Sequence, residues 1–298
     1  MPPQRLHVVD GTYELFRAHF SKRPGHNDPQ GRDVKATLGV VWSMLGLLRD
    51  PEERVTHVAI AFDNPIRSFR NDLFAGYKSD EGVPPELRAQ FDLVEQGMRA
   101  IGVVVWSMNV WEADDALATA AARWSGDVDQ VRILTPDKDL GQCLRGAQVV
   151  QVDRMRKRVI DEAAFVLARG ILPSSLPDYL ALVGDTADGI PGVTGFGEKT
   201  AAALLREYGH LEGIPPRGTQ WSSAIRGASG LAATLAANFE LARLYRRLAT
   251  LIFDVPLPQS LDSLRWRGIP PAAFDAWCDS VGAPESLRGH AARSSPPG

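Results

Sequence analysis

Three apolar runs in this chain stop on an aspartate: residues 6–10 (LHVVD), 57–63 (HVAIAFD) and 130–137 (QVRILTPD). Each is short and rich in β-branched residues, so each reads as a buried strand. Residues 103–106 (VVVW) read as a fourth. Helix-period stretches beginning at Lys35, Pro85 and Glu112 separate them. Strands that alternate with helices predict an α/β fold with a mostly parallel sheet. In such a sheet every strand's carboxyl end points to one edge, and ligands of open α/β folds bind at that edge. Asp10, Asp63 and Asp137, with Asp139 two residues further on, are therefore expected in one place. One aspartate after a strand is as readily the N-cap of the next helix; three point to a site.

More acids join them. Glu112, Asp114 and Asp115 open a helical stretch, and Glu112 and Asp115 share a face. The helix dipole accommodates one or two acids in a first turn. Three in four residues repel one another and need a positive charge nearby. Asp185 and Asp188 are again three apart. Nine hard oxygen ligands with no His or Cys partner select Mg²⁺ or Mn²⁺. The six histidines are scattered without ligand spacing, so zinc is not expected. The net charge is −3, from 33 basic and 36 acidic residues. With those nine acids set aside, 33 basic face 27 acidic residues. A mildly basic body around an acidic, metal-filled site suits a polyanionic substrate.

The densest glycine stretch, GDTADGIPGVTGFGEKT, starts at Gly184 and runs into an alanine-rich helix. Gly192 and Gly197 have P-loop spacing, but Glu198 stands where the phosphate-binding lysine belongs, and no buried strand feeds the loop. A dinucleotide fingerprint from Gly195 fails at Thr200. No nucleotide cofactor is expected. A helical hairpin remains, whose turn exposes backbone N–H groups to a strand phosphate without reading sequence.

The 298 residues suffice for one large domain or two modest ones. From about Pro173 the pattern turns helical, with a long helix predicted over 231–252. Residues 74–85 read as a mobile loop and 287–298 as a disordered tail. Two cysteines make no disulfide framework. No apolar run approaches membrane-spanning length, and the N-terminus lacks a signal-peptide core. The expectation is a cytoplasmic protein.

The blocks VVDG, AFD…SFRNDLFAGYK, EADDALA, TPDKDLGQ and GDTADGIPGVTGFGEKTA occur in that order over roughly residues 5–252. Together they resemble the 5′–3′ exonuclease and flap-endonuclease family, above all the N-terminal nuclease domain of bacterial DNA polymerase I, and a stand-alone form without a polymerase domain is the expectation. The resemblance implies a PIN-like α/β core with a parallel sheet over 1–172, with an arch at about 64–100. A helix-hairpin-helix-type DNA-binding subdomain over 173–255 and a packing segment over 256–286 would follow.

It implies two metal ions roughly 3.5–4 Å apart. The first would be held by Asp10, Asp63, Glu112, Asp114 and Asp137, the second by Asp139, Asp185 and Asp188 with Asp115 nearby. Arg70 and Lys78 would act catalytically on the scissile phosphate, and Arg17 would contact a substrate phosphate. Gly192, Gly195 and Gly197, with Lys199 and Thr200, would grip duplex DNA, with K⁺ in the turn. The partners implied are 5′ flaps, nicked or branched duplexes and RNA primers.

The family commonly carries a second arch cation three residues after the lysine; here Glu81 stands there beside Asp80, which puts long-flap threading in doubt. Ala187 and Gly189 replace the usual Ser and Asn, but the neighbouring acids remain. The activity implied is structure-specific 5′–3′ exonuclease and flap cleavage of DNA in replication and repair. A PIN-type ribonuclease or a catalytically weak branched-DNA-binding protein are the alternatives.

Overall fold

The computed structural model describes residues 3–294. The N-terminal part forms a six-stranded sheet. Its strands are β1 (Arg5–Asp10), β2 (His57–Asp63), β3 (Val104–Met108), β4 (Gln130–Leu134), β5 (Val149–Asp153) and β6 (Arg158–Ile160). Their spatial order is β3-β2-β1-β4-β5-β6; the first five are parallel and β6 is antiparallel. β5 and β6 were not expected from the sequence. β5 (VVQVD) is buried throughout, and β6 caps the sheet edge with three residues. β4 ends at Leu134, three residues before the expected Asp137. Pro136 has no N–H to give a ladder, and Asp137 instead caps the 3₁₀ turn Lys138–Cys143.

The helices between the strands are α1 (Gly11–His19), α2 (Lys35–Arg49), α3 (Phe69–Leu73), α4 (Pro85–Arg88), α5 (Phe91–Ala100) and α6 (Ala113–Trp124). Successive residues of a strand face opposite sides, and β1 divides accordingly. Leu6 and Val8 pack with Leu117, Ala121 and Trp124 of α6 on one face; Val9 packs with Met44, Leu45 and Met98 of α2 and α5 on the other. The expected continuous helix from Pro85 is two helices. They part at Gln90, a fully buried residue whose side-chain oxygen accepts hydrogen bonds from Thr37 N and Oγ1 (3.0 and 3.2 Å) at the start of α2.

After the sheet come α7 (Glu162–Arg169), α8 (Leu176–Val183), α9 (Glu198–Tyr208), α10 (Ala228–Ala237), α11 (Phe239–Ala249), α12 (Pro271–Ser280) and α13 (Glu285–Ala291). The long helix expected over 231–252 is broken at Asn238, whose backbone leaves helical geometry and whose amide donates to Thr234 O. The two expected parts also share their cores. Tyr77 and Leu144 belong to the helical core with Leu180, Leu204 and Leu248, while Leu251, Val255 and Leu264 cover the α6 face of the sheet. The tail expected to be disordered forms α13, with Leu287 fully buried against the α2 side, because α12 and α13 cover apolar surface on that face. Residues 295–298 of that tail lie outside the described residues. No helix among the described residues is long and apolar enough to cross a membrane.

His7 of β1 and Arg132 of β4 are paired in register and form a buried polar cluster on the sheet face. Glu53 accepts two hydrogen bonds from Arg132 (2.7 and 3.1 Å) and pairs with His7 Nε2 (3.0 Å). Burial alone raises a carboxyl, but the bonds from His7 and Arg132 outweigh it and pull Glu53 down to about 2. A depressed carboxyl stabilises the fold above its unfolded value, and that stabilisation is lost as pH falls through the folded one. Glu53→Gln is therefore expected to cost about 2–4 kcal/mol at pH 7 by stranding Arg132. The gap to the wild type should close between roughly pH 4.5 and pH 2, as read from urea unfolding across pH.

Candidate metal centre

The carboxyl edge of the sheet collects the acids as the strand pattern predicts. Asp10, Asp63, Asp114 and Asp137 line one cavity of about 460 Å³ with Lys78. Hydrogen bonds orient three of them, Asp10, Asp63 and Asp137. Asp10 Oδ1 accepts Tyr13 N (2.8 Å), capping α1, and its Oδ2 accepts Thr135 Oγ1 (2.9 Å). Asp63 Oδ1 accepts Ala113 N (2.7 Å) at the start of α6, and Asp137 Oδ1 accepts Asp139 N (2.9 Å). The capping reading and the site reading are thus both true: in Asp63 and Asp137 one oxygen fixes the carboxylate and leaves the other for a ligand, while Asp10 is fixed through both.

Asp139, Asp185 and Asp188 form a second group, with one oxygen of each within 4.8 Å of the others. Asp185 and Ile190 exchange backbone hydrogen bonds (2.7 and 2.8 Å), closing the loop that presents Asp188. That loop is pressed against the arch: Lys78 N donates to Asp188 O (3.0 Å). Gly189 has φ +72°, and a Cβ there would lie 2.0 Å from Gly76 O, so only glycine fits beneath the arch.

Lys78 joins the two groups. Its Nζ lies 3.2 Å from Glu112 Oε2 and 2.9 Å from Asp188 Oδ1, and its side chain is one-third exposed. Glu112 also accepts Ser68 Oγ (2.6 Å) and Tyr77 Oη (3.2 Å). Lys138, which sequence reasoning passed over, bonds Asp185. Its place inside TPDKDL, between two of the acids, was the available signal.

Electrostatics follow from burial and crowding. Burial, with the charges of Asp63 and Asp137 added, pushes Asp10 up to about 7. Burial and Glu112 raise Asp63. Burial, Asp137 and Asp10 hold Asp114 well above the usual carboxylate range. Burial and Asp137 do the same to Asp139, and burial raises Asp188 against the pull of Lys78. Glu112 goes the other way: burial would raise it, but Lys78 and Arg70 outweigh burial and lower it. Asp139 Oδ1 is buried without a hydrogen bond, and the nearest ammonium, Lys138 Nζ, is 3.8 Å away. An orphaned buried carboxylate oxygen in an all-oxygen donor set fits a hard divalent cation.

Two expected residues stand elsewhere. Arg70 was expected over the phosphate and Asp115 near the second metal. Instead they form a buried bidentate ion pair (2.7 and 2.7 Å), with Arg70 side chain 1% and Asp115 0% exposed. Arg70 also donates to Leu248 O and Thr250 O (2.8 and 2.9 Å), and Asp115 accepts Glu112 N and Ile252 N (3.0 and 2.9 Å). Asp115 points about 100° around the helix from Asp114, so its oxygens meet Arg70 and the chain leaving α11 at Ile252 rather than the cavity.

The glycine positions also divide. Gly192 has φ +77°, and a Cβ there would lie 2.5 Å from Gly184 N, so this glycine serves packing. Gly195, Gly197 and Lys199 are exposed and Thr200 partly so, at an α9 N-terminus that has no side-chain cap. Arg17 is tied to Glu14, Ser43 Oγ (3.1 Å) and Met155 Sδ (3.4 Å).

The protein thus carries two carboxylate groups at the carboxyl edge of a mostly parallel sheet, with a helical part after it. Residues 5–169 match the 5′–3′ exonuclease N-terminal resolvase-like domain, and 171–272 match the 5′–3′ exonuclease C-terminal SAM fold. The chain is 36% identical over 265 residues to DNA polymerase I of Rhizobium leguminosarum, covering 87% of this chain and 26% of that protein. It is 31% identical over 210 residues to a 5′–3′ exonuclease of Aquifex aeolicus, covering 70% and 71%. It therefore spans about a quarter of the length of the first of these relatives. In fold it is similar to the flap endonuclease of bacteriophage T5, solved with DNA and metal ions, with a TM-score of 0.60 and 20% identity over 97% of this chain and 100% of that one. It is also similar to human GEN1, solved with Holliday junction DNA, with a TM-score of 0.64 and 14% identity over 93% and 67%. The chain belongs to the 5′–3′ exonuclease family.

Two outcomes follow from this geometry. A divalent cation must displace protons from the raised carboxyls. Calorimetric titration with Mg²⁺ at pH 6.5 should show net proton release, read as a binding enthalpy that changes with the buffer's ionisation enthalpy; a buffer-independent enthalpy would contradict it. Arg70→Ala should lose about 3–5 kcal/mol of stability, because it leaves Asp115 charged and buried. The urea midpoint measured without DNA checks this.

Proposed function

We propose that this chain is a structure-specific 5′–3′ exonuclease and flap endonuclease that hydrolyses DNA phosphodiester bonds with two Mg²⁺ or Mn²⁺ ions. The observation that supports it most directly is the pair of carboxylate groups sharing the 137–139 turn on one sheet edge. Asp10, Asp63, Asp114 and Asp137, with Glu112 behind them, would hold one ion, and Asp139, Asp185 and Asp188 the other. Ions held there would supply an activated water and charge neutralisation at the leaving oxygen of a phosphodiester, with a 5′-phosphate and a 3′-hydroxyl as the products.

The chain's own groups do the rest. Lys78 keeps its ammonium at the junction of the two groups, where a scissile phosphate approaches, and stabilises charge developing there. Thr135, Thr12 and the α6 N-terminus hold Asp10 and Asp63 in place. Gly195, Gly197, Lys199 and Thr200 offer uncapped amides and a cation to a duplex phosphate, with K⁺ as a further ligand of that turn. Arg17 contacts a phosphate by way of the exposed quarter of its side chain. Nothing in this grip reads base edges, so strand ends and junction shape set specificity, and an RNA primer strand is admitted. The free, buried Cys143 and Cys278 suit the reducing cytoplasm.

The test uses 5′-labelled flap, nicked and single-stranded DNA with Mg²⁺, Mn²⁺ or chelator. Wild type should cut near the junction only with metal. Asp188→Ala should fall at least about a hundredfold, the size of losing one charge-stabilising group. Tight binding of branched DNA without cleavage in either metal would leave a binding protein instead.

A further inference from the structure

The turn joining β5 to β6 reads RMRK, from Arg154 to Lys157, and Arg158 opens β6 directly after it. Strand order fixes where it stands. Asp63 and the arch follow β2 and the basic turn follows β5, while β1 and β4, with Asp10 and Asp137, lie between them. The acidic site thus occupies the middle of the carboxyl edge, with the arch towards one end and the basic turn towards the other.

The turn is ordered in advance of any ligand. Asp153 accepts Arg156 N (3.0 Å) and its guanidinium (2.8 Å), and Arg154 is tied to Ser43 Oγ and O on α2 (2.9 and 3.0 Å). Arg156, Lys157 and Arg158 are exposed. Arg156 and Arg158 line a cavity of about 280 Å³ with Arg169 and Lys138. Its single acid is Asp153, already paired. Because Lys138 also bonds Asp185, this cationic cleft runs up to the second carboxylate group.

The arch end has the opposite sign. Lys78 is engaged by Glu112 and Asp188, and Arg88 by Asp80 (2.5 Å). Glu81 is exposed, lines the cavity of Asp10 and Asp63, and forms no ion pair with the described residues. A polyanion lying along the edge is attracted at the β5–β6 end and repelled at the arch.

We propose that the β5–β6 turn holds backbone phosphates of duplex DNA beside the metal centre, so that the preferred substrate is a duplex with a nicked or recessed 5′ end rather than a long single-stranded 5′ flap. This rests on the nuclease reading above and names the substrate class of that site.

Binding is measured by fluorescence anisotropy on a nicked duplex across salt, in the Asp188→Ala background so that the DNA stays intact. Replacing Arg156, Lys157 and Arg158 together by Ser should make the slope of log K against log salt shallower by about three, at roughly 0.9 per phosphate contact. Between 50 and 200 mM salt this separates the two proteins by roughly fortyfold. Arg156→Lys with Arg158→Lys keeps the charge and should keep the slope. In Mg²⁺ the otherwise wild-type protein should cut the nick faster than a long flap, and Glu81→Arg should narrow that ratio. A folded triple variant, with an unshifted melting midpoint, that keeps the parent slope would overturn the proposal. So would a long flap cut as fast as the nick. If the triple variant melts early, Lys157→Ser alone decides, with an expected slope change of about one. If wild type cuts no DNA, the nuclease reading has failed, and the salt slope still reports whether the turn grips duplex.

Discussion

Repulsion among carboxylates gathered in a low-dielectric cleft is what the rest of this structure is arranged to manage. Unit charges a few ångströms apart interact strongly where water is scarce. Folding brings Asp10, Asp63, Asp114 and Asp137 into one cavity and sets Asp139, Asp185 and Asp188 beside them. Three devices hold them there. Backbone N–H groups at helix starts each take one oxygen of Asp10, Asp63 and Asp137. Two ammonium groups, Lys78 and Lys138, stand among the acids. Burial shifts several carboxyls towards their neutral form, so that a cation binds in exchange for protons.

The buried joint between Arg70 and Asp115 explains why the helical half sits where it does. One guanidinium ties α3 at the base of the arch to α6 and to the carbonyls that end α11. Ile252 N closes the same joint from the other side. An ion pair of this kind is costly to desolvate, and its contribution is geometric specificity as much as net stability. The arch base, the first turn of α6 and the chain leaving α11 keep a fixed relation, and with it Lys78, Glu112 and Asp188.

The charge pattern along the sheet edge adds a direction to this arrangement. Acids occupy the centre, an uncompensated Glu81 lies at the arch, and exposed Arg156, Lys157 and Arg158 stand at the β5–β6 turn. A net charge of −3 conceals that separation entirely. Bulk composition argues weakly against a nucleic-acid partner, whereas the distribution in space presents a basic surface beside an acidic site.

Four of the six strands, their parallel order and the gathering of strand-end acids were legible in the sequence. Period and residue type decide them locally, and a parallel sheet has only one carboxyl edge. Asp10, Asp63 and Asp137 followed from that alone. Less was legible where a partner distant in the chain decides. β5 was missed in a short VVQVD run, Asn238 ends a helix whose pattern reads as continuous, and Leu287 is buried only because the α2 side of the sheet is there to receive it. The same holds inside the site. Asp114 and Asp115 are adjacent acids of one motif, and the sequence determined that both lie in the first turn of α6. Tertiary structure alone decided that Asp114 faces the cavity while Asp115 meets Arg70, because neighbouring helical positions point about 100° apart and what waits in each direction is supplied by other segments of the chain.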